Sequence, residues 1–180
     1  IVLTSLIDKN VADSITSILR SLYHSTRILP IAGSSLRYQA MRSAFPHERD
    51  ALILDATGPL TSIALVRKDL FVALVEIADA TTSDAWINGV TKELAELAKH
   101  YPLPRTIFLL AREPDIASLQ QTLDTAELGE LWLSDNPPKI MSVLVSHLNG
   151  LVQQTAAASP DLLLLLMTLY FQHRAQGENR

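Results

Sequence analysis

The stretch Asp55-Ala56-Thr57-Gly58-Pro59-Leu60-Thr61-Ser62 contains the residues of this chain most suited to chemistry. Asp55 lies near the end of an apolar run, and Thr57-Gly58-Pro59 supplies turn residues before the next run begins. A carboxylate at the end of a strand can position a metal ion, or it can accept backbone hydrogen bonds within the turn that follows. The residue types by themselves leave both roles of Asp55 open.

A metal-dependent nuclease would need further carboxylates close to Asp55, because two metal ions must flank the scissile phosphate. Glu76, Glu93 and Asp115 are the candidates by their order along the predicted elements. Glu93, however, falls on the polar side of a predicted helix, where a solvated role explains it more simply. We therefore keep a nuclease as an alternative rather than as the preferred interpretation.

The chain lacks the residues that several other kinds of catalytic site need. The chain has no cysteine and no Gly-x-Ser-x-Gly elbow, which excludes thiolate chemistry and argues against a hydrolase triad. Its histidines are isolated and lack the close spacing of a helical zinc site: His24, His47, His100, His147 and His173. We predict no catalytic residue on these grounds.

Composition indicates an acidic globular chain of one domain, or of one domain plus an appendage. It has 180 residues, of which 48% are hydrophobic, and a formal net charge of −4. The 15 Lys and Arg residues are scattered, whereas a nucleic-acid partner favours clustered positive charge. The longest apolar run, from Leu162 to Phe171, is about half of the roughly 20 residues of a membrane span. We expect a cytoplasmic chain with neither a transmembrane helix nor a nucleic-acid partner.

The elements that would position Asp55 can be predicted from periodicity and turn residues. Residues 1–50 read as β-α-β-α, with strands at 1–7 and 27–31 and helices from Val11 to Tyr23 and at 36–44. Three strands at 51–56, 61–66 and 70–77 then form an antiparallel meander. A helix capped by Ser83 follows and ends before Pro102 and Pro104.

Shorter elements complete the predicted order β-β-β-α-β-α-β-α from residue 51, with one more helix appended. Residues 106–111 form a strand, Pro114 opens a helix, and Leu131-Trp132-Leu133 is a very short strand. A helix then starts near Asn136, and a last one starts at Ser159-Pro160-Asp161. That last helix has no polar face over residues 162–166, so it either packs across the domain or forms a homodimer.

This order, with Asp55 ending the first strand, resembles the second lobe of the actin-like ATPase superfamily, of the bacterial FtsA and PilM types. The hairpin of such lobes reads Asp-x-Gly-x-Gly-x-Thr, and it holds nucleotide phosphates while the aspartate helps to position a metal. Asp55 and Thr61 match, and Gly58 falls on a variable position that is often glycine. The resemblance implies that Asp55, Gly58 and Thr61 would contact Mg-ATP and that Asp55 would serve the metal.

The chain departs from this pattern where a nucleotide would need it most. Thr57 and Pro59 replace the two expected glycines, and proline supplies no amide donor to a phosphate. Ala111-Arg112-Glu113-Pro114 stands where the family usually offers a Gly-Gly pair to adenosine. The resemblance therefore implies a degenerate ATPase without a bound cofactor.

We predict an α/β ribonuclease-H-like (actin-type) lobe with a mixed sheet at 51–174, preceded by the end of another lobe at 1–50 and followed by a disordered tail at 175–180. The implied function is a non-catalytic or weakly nucleotide-binding scaffold of a bacterial pilus, secretion or division assembly, with protein partners at the inner face of the membrane. An active ATPase whose other lobe is missing from this chain, and a metal-dependent ribonuclease-H-like nuclease, remain the alternatives.

Overall fold

The computed structural model describes residues 7–25, 28, 30–77, 82–132, 138–152 and 161–177. The strands are β1 (Ala51–Ala56), β2 (Thr61–Arg67), β3 (Leu70–Ile77), β4 (Thr106–Ala111) and β5 (Lys139–Ser142). The helices are α1 (Lys9–Leu22), α2 (Gly33–Ala44), α3 (Ser83–His100), α4 (Glu113–Thr125), α5 (Val145–Asn149) and α6 (Leu162–Gly177). A 3₁₀ turn at Leu128–Leu131 lies between α4 and β5.

The five strands form one mixed sheet in the order β3-β2-β1-β4-β5. β1 pairs antiparallel with β2, and β2 pairs antiparallel with β3, which is the predicted meander. β4 pairs parallel with β1, and β5 pairs parallel with β4. The predicted fold class, a ribonuclease-H-like lobe in which a meander is followed by β/α units, is confirmed by this order and these directions.

Helices cover both faces of the sheet, so the central strand β1 has side chains in two separate cores. Leu52 and Leu54 of β1 pack with residues of α3 and α4, whereas Ala51 and Ile53 pack with residues of α2, α5 and α6. Successive side chains of a strand point to opposite faces, so each core receives every second residue of β1. Burial on both faces explains the almost continuous apolar run in the sequence.

The hairpin between β2 and β3 is closed by two residues with positive φ. Lys68 has φ 50° and Asp69 has φ 59°, the left-handed conformation of both central residues in a type I′ turn. Two contacts to the chain before β1 hold the turn: Asp69 N donates to Arg49 O at 2.9 Å, and Lys68 N donates to Asp50 Oδ1 at 3.0 Å. The turn is thereby fixed to the two residues that precede the central strand.

The helix that follows the meander begins at Ser83, the residue predicted as its cap, so it starts one residue earlier than expected. Thr82 Oγ1 accepts from Ala85 N at 3.2 Å, so Thr82 rather than Ser83 is the cap of α3. The helix ends at His100, before the two prolines, as predicted. The strands at 51–56, 70–77 and 106–111 are also confirmed, and β2 continues to Arg67.

Two predictions in residues 131–148 are wrong. Leu131 ends the 3₁₀ turn and Trp132 lies in a bend, so neither is in the predicted strand, while Leu133 lies outside the described residues. The fifth strand is instead β5, within the segment predicted as a helix from Asn136. Lys139 N donates to Arg105 O at 2.7 Å, and Lys139 pairs with Thr106, the first residue of β4.

The helix prediction for residues 139–142 is wrong for a physical reason. The apolar residues at 140, 141 and 143–145 fit a helical face as well as a strand. In β5 they alternate: Ile140 packs in the core under α3 and α4, whereas Met141 packs in the core under α2 and α6. The edge of β4 supplies backbone partners that the local sequence does not reveal. Only the short α5 remains of the predicted helix.

The predictions for the two ends of the chain agree only in part with the described residues. The strand predicted at 1–7 falls almost entirely outside the described residues, and residues 28, 30 and 31 of the strand predicted at 27–31 are not in a strand. The tail predicted as disordered from residue 175 is helical to Gly177, and residues 178–180 lie outside the described part. No helix of the described residues is long and apolar enough to cross a lipid bilayer.

The helix α2 lies before the predicted boundary at residue 50, yet it packs on the sheet. Its residues Ala40 and Met41 are buried in the same core as Ile53 of β1 and Leu166 of α6. The assignment of residues 1–50 to a preceding lobe stays a prediction. The packed core of the described lobe nevertheless includes α2.

Replacing Leu109 with alanine should strongly destabilise the lobe, because this residue of β4 is fully buried between β1 and β5. We expect Leu109→Ala to lower the free energy of unfolding by about 2–5 kcal/mol. Leu70→Ala is the control, since Leu70 is 61% exposed, and it should change stability by less than about 1 kcal/mol. Urea denaturation measures both changes in stability, and equal effects would contradict the burial of Leu109 in the sheet.

Candidate functional site

The carboxyl ends of β1, β4 and β5 lie at one edge of the sheet, and a cavity of about 640 Å³ opens there. Its lining is formed by Thr57 after β1, residues 111–114 and Ile116 after β4, residues 143–146 after β5, and residues 161–163 at the start of α6. In open α/β sheets, ligands bind outside the carboxyl ends of the strands. This edge is therefore the candidate site.

Asp55, the last buried residue of β1, shapes the turn that borders the cavity. The residue is 6% exposed. Asp55 Oδ1 accepts from Thr57 N at 3.0 Å and from Thr57 Oγ1 at 2.6 Å. This hydrogen bond from the backbone two residues later is the Asx turn that favours aspartate at such positions. The turn role, one of the two that the sequence left open, is present in the structure.

The other carboxylate oxygen of Asp55 faces Arg37 of α2. Arg37 Nε and Asp55 Oδ2 form an ion pair in which both side chains are largely buried. The alignment of Arg37 Nε is not that of a hydrogen bond, so the attraction is between the charges. Arg37 Nη2 also donates to Thr57 Oγ1 at 3.1 Å. Asp55, Thr57 and Arg37 thus form one connected polar cluster, in which the guanidinium supplies the counter-charge of the carboxylate.

Space beside Arg37 is limited by the start of α2. A Cβ atom placed on Gly33 would lie 2.4 Å from Arg37 Nη1, closer than unbonded heavy atoms approach. Any larger residue at position 33 would force the guanidinium to move. The glycine therefore leaves room for the arginine that pairs with Asp55.

Thr61, the second predicted site residue, points away from Asp55. It lies on the same face of β2 as Ile63 and Leu65, toward the core under α3 and α4. This face is opposite to the α2 side on which Asp55 meets Arg37. Trp86 Nε1 of α3 donates to Thr61 Oγ1 at 3.0 Å, and both residues are buried. The hydroxyl of Thr61 already serves as an acceptor inside the core.

Gly58, the third predicted site residue, is exposed in the turn between β1 and β2. No described glycine has a positive φ, so Gly58 does not use the backbone conformation that only glycine adopts readily. The structure thus places the three predicted residues in three settings: Asp55 in the cluster with Arg37, Gly58 in an exposed turn, and Thr61 in the opposite core.

Two of the longer helices, α4 and α6, begin at the cavity, and each has a carboxylate at its N-terminus. Asp161 Oδ1 accepts from Leu163 N at 2.7 Å and from Leu164 N at 3.4 Å, which caps α6. α4 carries Glu113 and Asp115 in its first turn. Helix N-termini favour negative charge, and here the side chains of the chain provide it.

The positive charge that Arg112 brings to the cavity lining is partly neutralised. Arg112, which precedes α4, forms an ion pair with Asp115 at 2.8 Å. An incoming phosphate would therefore meet acidic side chains at both helix ends and a single arginine that already has a carboxylate partner.

The carboxylates proposed for a nuclease do not converge. Glu76 is exposed on β3, separated from Asp55 by the whole of β2, and Glu93 belongs to α3 on the other face of the sheet. Within the described ranges, no three His, Asp or Glu side chains are grouped so as to hold a metal ion.

Sequence reasoning missed Arg37, and the pairing of Trp86 with Thr61. Arg37 has no local signal, because it lies 18 positions before Asp55 in a separate helix and comes near it only when α2 packs on the sheet. Asp161 did have a signal, because Ser159-Pro160-Asp161 predicted the start of the last helix, where capping carboxylates are common.

No model of a known protein family matches the sequence, and no curated protein matches it. Among solved structures, the chain is similar to one described as a PilM-PilN type IV pilus biogenesis complex, with 14% identity and a TM-score of 0.43, covering 88% of this chain and 57% of that one. It is also similar to the ethanolamine utilization protein EutJ from Carboxydothermus hydrogenoformans, with 13% identity and a TM-score of 0.37, covering 76% and 54%. The chain thus spans little more than half the length of either.

The strand order of the chain itself defines its fold class. A five-stranded mixed sheet in the order β3-β2-β1-β4-β5, covered by helices on both faces, is a ribonuclease-H-like lobe of the actin type. Its particular features are a carboxylate at the end of β1 that is paired with an arginine, and an acidic rim around the cavity at the strand ends.

Removing Arg37 should leave the Asp55 carboxylate buried without its counter-charge. We expect Arg37→Met to lower the free energy of unfolding by about 2–4 kcal/mol. Asp55→Asn in the same chain should restore part of this loss, with a coupling energy of about 1–3 kcal/mol. Arg42→Met, an exposed change in the same helix, should have an effect of at most about 0.5 kcal/mol. Additive losses in urea denaturation would contradict the ion pair.

Replacing Thr61 by valine keeps its shape but leaves the buried indole N–H of Trp86 without an acceptor. We expect Thr61→Val to cost about 1–3 kcal/mol of stability. In the Trp86→Phe background the same change should cost clearly less, because the donor is already gone. Urea denaturation of the four proteins provides the comparison, and an equal cost in both backgrounds would contradict the contact.

Proposed function

We propose that this chain is an actin-like scaffold domain that binds a protein partner and does not hydrolyse ATP. The observation that carries the proposal is the ion pair between Asp55 and Arg37. In the family that the sequence resembles, the equivalent aspartate helps to position a metal. Here its charge is met by a side chain of the same lobe.

Metal binding at Asp55 would have to displace contacts that already exist. Mg²⁺ requires oxygen ligands in nearly ideal octahedral geometry. Asp55 Oδ1 is held by Thr57, and Asp55 Oδ2 faces Arg37. A divalent cation at this carboxylate would also meet the positive guanidinium at close range, which is unfavourable.

Two of the donors that a phosphate would use are missing from the same region. Pro59 has no amide hydrogen, and the hydroxyl of Thr61 lies in the opposite core with Trp86. The carboxylates of Glu113 and Asp161 stand at the helix N-termini that border the cavity. These features together favour a lobe that has lost its nucleotide.

Exposed apolar side chains on two helices support a role in binding another protein. α1 has a strongly amphipathic sequence, yet its apolar residues are about half or more exposed: Val11, Ile15, Ile18 and Leu22. On α6, an exposed apolar stripe consists of Leu164, Met167 and Phe171. Such surfaces mark interaction sites in soluble proteins.

The partner belongs, in this proposal, to a pilus, secretion or division assembly at the inner face of the bacterial membrane. This assignment rests on the resemblance of the sequence to the FtsA and PilM types. A homodimer through α6 is a further arrangement that its exposed stripe would permit.

The alternative function is an active ATPase that completes its site with another lobe. The cavity at the carboxyl ends of β1, β4 and β5 favours it, because this edge is where α/β sheets bind ligands. In that case the groups supplied by the other lobe would have to overcome the acidic rim and the Arg37 ion pair.

Calorimetric titration with Mg-ATP separates the two functions. We expect no binding of the wild-type protein tighter than about 1 mM, because the carboxylate and the hydroxyl that the nucleotide would need are engaged. Arg37→Met and the control Arg42→Met should be titrated beside it. Micromolar binding of Mg-ATP by the wild type would overturn the proposal and favour the ATPase.

A further inference from the structure

The cavity at the strand ends has an apolar interior and an acidic rim. Ile116, Val143 and Leu162 are buried side chains in its lining, and Leu144 at its mouth is 40% exposed. At about 640 Å³ it lies in the size range of ordinary ligand pockets. An occupant must therefore bring apolar surface to be held there.

The rim carries negative charge that the lobe does not neutralise. Glu113 and Asp161 line the cavity and are exposed. Within the described part of the chain, neither forms an ion pair, whereas Arg112 is paired with Asp115. The capping bonds of Asp161 come from uncharged backbone amides. A complementary occupant carries positive charge next to its apolar group.

We propose that this cavity is a docking site for a partner segment in which a large apolar side chain is flanked by lysine or arginine. The apolar side chain fills the space over Ile116 and Leu162, and the cationic side chain lies against Glu113 or Asp161. The inference deepens the proposed scaffold function and rests on it, since a nucleotide in the same cavity would exclude the segment.

The charge pattern distinguishes this occupant from an anionic one. A phosphate group would be repelled by the carboxylate that it approached at this rim, whereas a lysine or arginine would be attracted to it. The apolar lining supplies the larger part of the affinity, because burying one leucine-sized side chain contributes about 1.5–3 kcal/mol. The rim then selects the sign of the neighbouring charge.

A selection from a random dodecapeptide library on the purified protein tests the inference without assuming a partner. We expect enriched peptides to have an apolar residue next to lysine or arginine. The best peptide, labelled with fluorescein, is then titrated against the variants by fluorescence anisotropy. No enrichment, or enrichment of peptides without basic residues, would overturn the proposal.

Matched variants locate the binding in the cavity. Glu113→Gln with Asp161→Asn removes both rim charges while asparagine keeps the helix cap, and affinity should fall about tenfold. Asp124→Asn with Glu127→Gln removes two exposed charges outside the lining and should change affinity by less than about twofold. An equal fall in both pairs would show general charge attraction and refute a site in this cavity.

A second pair of variants tests the apolar contact at the mouth. Leu144→Ser should weaken the peptide about fivefold, because the exposed leucine loses its contact with the apolar group. Leu70→Ser changes an even more exposed leucine outside the cavity lining and should leave affinity unchanged. Unaltered binding by Leu144→Ser would contradict the proposed position of the segment.

Failure of this inference can be told apart from failure of the scaffold function. If neither peptide nor Mg-ATP binds, the docking site is refuted and the nucleotide-free scaffold stands. If Mg-ATP binds at micromolar concentration and displaces the peptide, the proposed function fails as well.

Discussion

Burial of the central strand on both faces is the constraint on which the rest of this structure depends. β1 lies between β2 and β4 and sends alternate side chains into two cores. Its only charged residue, Asp55, is at the end of the strand and still largely buried. A buried carboxylate must be hydrogen-bonded and paired, because burying an isolated charge is very unfavourable. Thr57 supplies the hydrogen bonds and Arg37 supplies the charge.

The need to pair the buried carboxylate of Asp55 connects the fold to the proposed function. The arginine comes from α2, which also packs on α6, so the polar cluster links the end of β1 to the helical layer that covers it. A carboxylate that stabilises this arrangement is less available to a metal ion. Asp55, which the sequence offered as a candidate metal ligand, thereby becomes part of the packing between strand and helix.

The edge of the sheet retains the shape of a ligand site while its charge has the opposite sign from the one that a phosphate needs. Parallel strands end together, and the helices that follow them leave a cavity between their first turns. Topology alone produces this space. The side chains at its rim decide what can enter, and among the described residues those without an ion pair, Glu113 and Asp161, are acidic. The shape of the cavity comes from the fold, whereas its charge comes from the side chains of this sequence.

The sequence by itself determined most of the order of elements, because alternation of apolar residues, turn residues and prolines are local signals. It predicted the meander, α3, β4 and the start of α6. It misplaced the fifth strand, since residues 139–142 become a strand only by pairing with the edge of β4, and the same apolar spacing also fits a helix. For the site, the sequence identified Asp55 and the broken glycine pattern, but tertiary structure alone decided what Asp55 and Thr61 contact. Arg37 and Trp86 are far from them along the chain and reach them only when their helices pack on opposite faces of the sheet.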